Sequence, residues 1–293
     1  MSAGERLLGT PIPMHVWIGY KGVKIAGDSW GDPNGPLVVL QHGGGQTRHA
    51  WKGAGETLGE AGYHAVAFDA RGHGDSDWAG EGNYSGDHMV EDLRCVAKAL
   101  GSERPVLVGA SMGGGTSLIA AGEGKLDVSA LVMVDMAPQI EPEGQAKIQA
   151  FMNQKPDGFD SLEEVAAAIA NYQPHRKRPR NLDGLAKNVR LAANGKYVWH
   201  WDPARRTSRP GAPDYRERLR LAADNLTLPV LLVRGGLSDV LSEEGAQSFL
   251  KQCPQAEYVN VANAAHMVAG DRNDIFAGSV ISFLLRAAPV PTT

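Results

Sequence analysis

The sequence predicts an α/β fold: a mostly parallel eight-stranded sheet with helices on both faces and an inserted helical lid. Two observations lead there. Short β-branched apolar runs alternate with helical patterns at both ends of the chain, as in βαβ units whose strands are buried on both faces. In the middle, that alternation stops for almost ninety residues and then resumes.

The elements follow in order. HVWIGY (15–20) and GVKIAGDSWG (22–31) alternate between faces and read as an antiparallel pair. PLVVLQHG (36–43), YHAVAFDARG (63–72), RPVLVGAS (104–111), SALVMVD (129–135), LPVLLVRGG (228–236) and AEYVNVANA (256–264) read as buried parallel strands. Between them, residues 50–62, 86–101, 111–124, 242–253 and 274–288 carry helical patterns, several ending at glycine.

From Pro138 to Asn225 no strand-like run is visible, and residues 144–154, 161–172, 181–193 and 215–225 read as helices. The sheet is completed only afterwards, so this stretch is an insertion in one domain. We expect a core of residues 1–137 and 226–293, with a cap of residues 138–225 over the C-terminal edge of the strands. Pro203 is expected to stop a helix there.

At 293 residues with 43% hydrophobic content, the chain can bury one large core. A net charge of -4 offers no general attraction for nucleic acid or anionic membrane. Cys95 and Cys253 show neither CxxC nor metal-ligand spacing, so reduced thiols and a cytoplasmic location are expected. No secretory leader or membrane-spanning run is visible. No cofactor or metal is expected.

Candidate chemistry begins at Gly109-Ala110-Ser111-Met112-Gly113. A strand enters this GxSxG turn and a small-residue helix leaves it, the context in which a serine is held exposed as a nucleophile. A serine hydroxyl needs a base, and the base needs a carboxylate to hold its tautomer. His266 follows the last strand, and Asp239 follows the strand before it, 27 residues earlier. We expect Ser111 as nucleophile, His266 as general base and Asp239 as orienting acid. Asp135, ending the strand after the nucleophile strand, is the alternative acid and otherwise a loop-fastening residue. His73, inside DARGHGDSD (69–77), reads as a residue that satisfies backbone groups.

An acyl-transfer site also needs donors for the developing oxyanion. Met112 N–H lies at a helix N-terminus, where N–H groups are unpaired. The second donor is expected from His42-Gly43-Gly44-Gly45, with Gly44 preferred and Gly43 kept as a substrate-binding candidate.

HGGG, DARGHGDSD, GASMGG, the Asp239 loop and AAHMVAGDRNDIF resemble, in order and spacing, the core motifs of the α/β-hydrolase superfamily. The resemblance covers roughly residues 12–138 and 226–288 and leaves the cap unmatched. It implies a metal-free serine mechanism acting on a small to medium carboxylic ester or lactone. Carbon-carbon bond hydrolases of ring-fission products and cofactor-free perhydrolases share these motifs, and a non-catalytic ligand-binding member of the fold is the remote alternative. Ala264-Ala265 departs from the glycine often found before the histidine.

In the cap, Tyr197-Val198-Trp199-His200-Trp201 offers Trp199 and Trp201, with Met267 beyond it, either as lining for an apolar acyl or aryl group or as a staple between cap and core. The cap holds 15 Lys and Arg against 11 Asp and Glu, while the remainder holds 14 against 22. This asymmetry either steers an anionic substrate or fastens cap to core. The expected partner is a small molecule, and oligomeric state is not legible.

Overall fold

The computed structural model describes residues 4–80, 82–173, 182–207 and 213–291. Eight strands form one sheet: β1 (His15–Ile18), β2 (Lys24–Trp30), β3 (Leu37–Gln41), β4 (His64–Phe68), β5 (Val106–Ala110), β6 (Ala130–Val134), β9 (Val230–Gly235) and β10 (Ala256–Val261). Their order is β1-β2-β4-β3-β5-β6-β9-β10. The β1–β2 and β2–β4 pairs are antiparallel, and from β4 to β10 every pair is parallel. The expected eight strands and their antiparallel start are all present.

Alternation within each central strand divides the core in two. Val39, Leu107, Leu131, Met133 and Leu232 face one cluster, while Val38, Leu40, Val106, Val108, Val132, Val134, Leu231 and Val233 face the other. Each such burial contributes about 1.5–3 kcal/mol, which makes a slip in register costly. The first cluster is covered by α2 (Gly86–Ala99), α3 (Met112–Gly122), α6 (Pro213–Asp224) and α7 (Glu243–Gln252), the second by α1 (Lys52–Glu60) and α9 (Asn273–Ala287). Ser85 and Ser242 cap α2 and α7 by accepting the N–H groups of His88 and Gly245.

The insertion holds α4 (Pro142–Asn153) and α5 (Leu162–Tyr172), but it is not wholly helical. Residues 181–193 were expected to form a helix. Instead a 3-10 turn over Asp183–Asn188 leads into β7 (Val189–Leu191), which pairs antiparallel with β8 (Tyr197–Trp199). Two three-residue strands are too short to leave a periodic signal, and they persist because Val189, Trp199, Trp201 and Phe159 bury one another in a small core. Pro203 opens a 3-10 helix, Pro203–Thr207, where it was expected to stop one; a fixed φ and a missing N–H suit a first helical position. The basic run HRKRPR (175–180) lies outside the described residues.

Cap and core meet over the C-terminal ends of the strands. Asp202 N–H donates to Gly72 O at 2.8 Å, Gly74 N–H donates to His200 Nδ1 at 2.8 Å, and Arg190 pairs with Asp75 at 2.9 Å. Met152 and Trp201 lie against the glycines at 44 and 45. No helix among the described residues is long and apolar enough to cross a membrane. A short α8 (Val268–Asp271) follows the last strand.

Candidate active site

Ser111 sits between β5 and α3 with φ 48° and ψ -110°. Only close approach of strand and helix permits that turn. A Cβ at residue 109 would come within 2.4 Å of Gly113 O, and one at residue 113 within 2.4 Å of Gln41 O, so both glycines are required by contact. Ser111 N–H reaches Val134 O at 3.3 Å, which ties the turn to the end of β6.

The next residue along β6 is Asp135, fully buried and also at φ 48°. Its carboxylate accepts from three donors: Gly235 N–H at 2.9 Å, the Ser238 hydroxyl, and His266 Nδ1 at 2.7 Å. A carboxylate there makes Nδ1 the protonated nitrogen of His266 and leaves Nε2 as an acceptor.

The expectation for Asp239 is therefore corrected. Its half-exposed carboxylate pairs with Lys147 of α4 at 2.8 Å and does not meet His266. The physical reason is the path of the loop after β9. Ser238, rather than Asp239, turns inward onto Asp135, and its hydroxyl also accepts the N–H groups of Val240 and Leu241. Asp239 is then carried outward, where the start of α4 packs on its backbone.

Around residues 42–46 the N–H groups are unequally used. Gly43 N–H donates to Gln46 Oε1 at 3.0 Å and Gly45 N–H to His73 Nε2 at 3.2 Å. Gly44 N–H has no partner among the described residues, and neither does Met112 N–H at the start of α3. A Cβ at residue 43 would lie 3.4 Å from Ser111 Cβ, so this loop borders the serine.

Three buried histidines brace the loop. His42 Nδ1 donates to Gly43 O at 2.8 Å while Nε2 accepts Ala70 N–H at 2.9 Å. His73 accepts from Gly45, and His200 Nε2 donates to Gly45 O at 3.3 Å while its Nδ1 accepts from Gly74. Every assignment needs a neutral ring. Burial, with the nearby Arg205 and Arg190 cations, holds the His73 and His200 pKa values well below the ordinary range, and burial lowers His42 as well.

The rest of DARGHGDSD is a clamp. Arg48 bonds Asp28, Asp69 and Asp75 at 2.9, 2.6 and 2.9 Å, and Arg71 holds Asp92 through two nitrogens. Removing one partner of such a buried pair costs about 3–5 kcal/mol, so the loops under the site are rigid.

The remaining candidates lie nearby. Trp199 and Trp201 stack at 4.7 Å in the cap's own core, with Trp201 against Gly45, and half-buried Met267 receives the Gln173 side-chain amide on its sulfur. No cluster of three or more His, Cys, Asp or Glu side chains among the described residues could hold a metal.

Residues 36–272 match the family described as alpha/beta hydrolase fold. The chain belongs to that family. It is 30% identical over 253 residues to the esterase Rv0045c of Mycobacterium tuberculosis, covering 83% of this chain and 80% of that one. It is 28% identical to the 3-hydroxybutyrate-oligomer hydrolase of Cupriavidus necator, covering 83% and 87%. The crystal structure of E-2-(acetamidomethylene)succinate hydrolase superposes with a TM-score of 0.79 at 23% identity, over 92% of this chain and 99% of that one, a likeness of fold. As an α/β-hydrolase, the chain is a hydrolytic enzyme.

Proposed function

We propose that this α/β-hydrolase cleaves a small to medium carboxylic ester or lactone through an acyl-enzyme. The observation that carries the reading is His266 Nδ1 at 2.7 Å from the buried Asp135 carboxylate, on the strand beside the Ser111 turn. Ser111 Oγ attacks the scissile carbonyl as its proton passes to His266 Nε2, and Asp135 steadies the imidazolium that forms. The tetrahedral oxygen is received by Met112 and Gly44 N–H, each donor worth about 3 kcal/mol in the transition state. His266 then returns its proton to the leaving alcohol, and a water repeats the sequence to release the acid. The esterase and the oligomer hydrolase among its relatives support ester chemistry.

The test combines a fluorophosphonate probe with a panel of p-nitrophenyl esters and lactones. We expect labelling at Ser111 and ester turnover abolished by that labelling. Silence toward every probe and ester would reject the reading.

A further inference from the structure

Among the described residues, the buried arginines have oxygen partners, whereas the partly buried Arg205 does not. Arg48 has three carboxylates, Arg190 has Asp75, and Arg234 has Leu241 O at 2.8 Å with Glu243 at 3.5 Å. Arg71 shows the ideal case: its Nε and Nη2 grip the two oxygens of Asp92 at 2.6 and 2.7 Å. Arg205, in the cap's last 3-10 turn, has no carboxylate among the described residues. Among the described residues, its Nη1 donates to the neutral His73 Nε2 at 2.6 Å, its Nη2 meets the Met112 thioether at 2.8 Å, its Nε finds no hydrogen-bond partner, and the Tyr84 ring faces the guanidinium at 5.9 Å. Asp202, the nearest acid in sequence, is already used by the Tyr84 hydroxyl and Ala204 N–H.

The edge that holds a carboxylate on Arg71 is thus left on Arg205 with a weak acceptor and an orphan. A cation in that condition is costly unless something else completes it. Burial pulls its pKa down to about 10, which still leaves it charged at neutral pH. The position decides what can complete it. Met112 follows the nucleophile and offers its N–H to the oxyanion, and His73 holds Gly45 beside the second donor. The guanidinium therefore stands one side chain from the reacting carbonyl. The Met112 side chain is unbranched, so a ligand that displaces its sulfur would meet the Nε–Nη2 edge.

Resting on the ester hydrolase reading above, we propose that the Nε–Nη2 edge of Arg205 receives a carboxylate carried on the acyl part of the substrate, making half-esters of short dicarboxylic acids the preferred class. The second carboxylate takes no part in bond making; it positions the acyl chain. A planar two-oxygen group matches the fork, and the short path past Met112 limits the acyl chain to a few carbons.

Monoethyl succinate and ethyl pentanoate, nearly equal in length, separate charge from size in a pH-stat assay. We expect the wild-type protein to prefer the anionic ester in kcat/KM. In Arg205→Gln the ratio of anionic to neutral kcat/KM should fall by about 100-fold, with Arg205→Lys between the two. A wild-type preference for the neutral ester, or an equal loss on both esters in folded Arg205→Gln, overturns the proposal. Binding supplies a readout independent of turnover and of the catalytic reading. Ser111→Ala should bind monoethyl succinate in calorimetry at least tenfold more tightly than Ser111→Ala/Arg205→Gln, and equal affinity would overturn the proposal even if no ester is hydrolysed. If Arg205→Gln does not fold, the wild-type ester preference and the weakening of monoethyl succinate binding to Ser111→Ala in Arg205→Lys decide it in the same directions.

Discussion

Ser111 and Asp135 leave neighbouring strands at the same level and with the same φ, 48°. Neither is glycine, and each such conformation costs on the order of 1–3 kcal/mol. The two turns stand at the ends of adjacent parallel strands, and His266, from the loop after β10, hydrogen-bonds the Asp135 carboxylate at 2.7 Å.

Under the proposed ester-hydrolase reading, that arrangement casts Asp135 as the orienting acid. Asp135→Asn should lower kcat by roughly 10³- to 10⁴-fold, because an amide in that place favours the wrong histidine tautomer while keeping the shape. Asp239→Asn removes only a half-exposed pair with Lys147 and should stay within about threefold of wild type. Steady-state kinetics on both folded variants would contradict the assignment if Asp239→Asn were the more damaged.

Ser111→Ala and His266→Ala should each reduce kcat by roughly 10⁴-fold or more, with the double variant little worse, since the two act as one unit. Losses that multiply in the double variant would mean that each works alone.

Gly44 separates an oxyanion donor from mere loop space. A methyl group at residue 44 meets only Met152 Sδ at 3.7 Å, so Gly44→Ala keeps both the fold and the N–H and should retain most activity. Gly44→Pro deletes the N–H and should lower kcat by about 10²- to 10³-fold. Equal rates for the two variants, with unchanged circular dichroism, would remove Gly44 from the mechanism.

The bracing histidines predict a stability profile. His42, His73 and His200 hold their pKa values below 6.5 in the fold, chiefly through burial, whereas the unfolded chain protonates near 6.5. The unfolded state then binds more protons below that pH, so stability is complete above about pH 6.5 and falls as pH drops, by up to about 1.4 kcal/mol per unit for each histidine. Urea midpoints at pH 7.5, 6.5 and 5.5 should decline in that order, and His200→Phe should flatten the slope. A midpoint that rises toward pH 5.5 would show that these rings are charged in the fold.

Much of this protein is written locally. Strand and helix alternation, the small residues around Ser111, and a histidine just past the last strand are short-range patterns, because burial on both faces and a tight turn each restrict a few consecutive residues. The cap was less legible, since β7 and β8 are held by Phe159, Trp199 and Trp201 rather than by a period of their own. Tertiary structure alone chose between Asp135 and Asp239. Both follow strands of the same edge, β6 and β9, which are neighbours, so order and spacing admit either. The choice lies in the direction each loop takes, where Ser238 turns in and Asp239 turns out, and that direction is set by packing between segments far apart in the chain. The same holds for Arg205: a missing partner is a property of its surroundings, and no local sequence pattern records it.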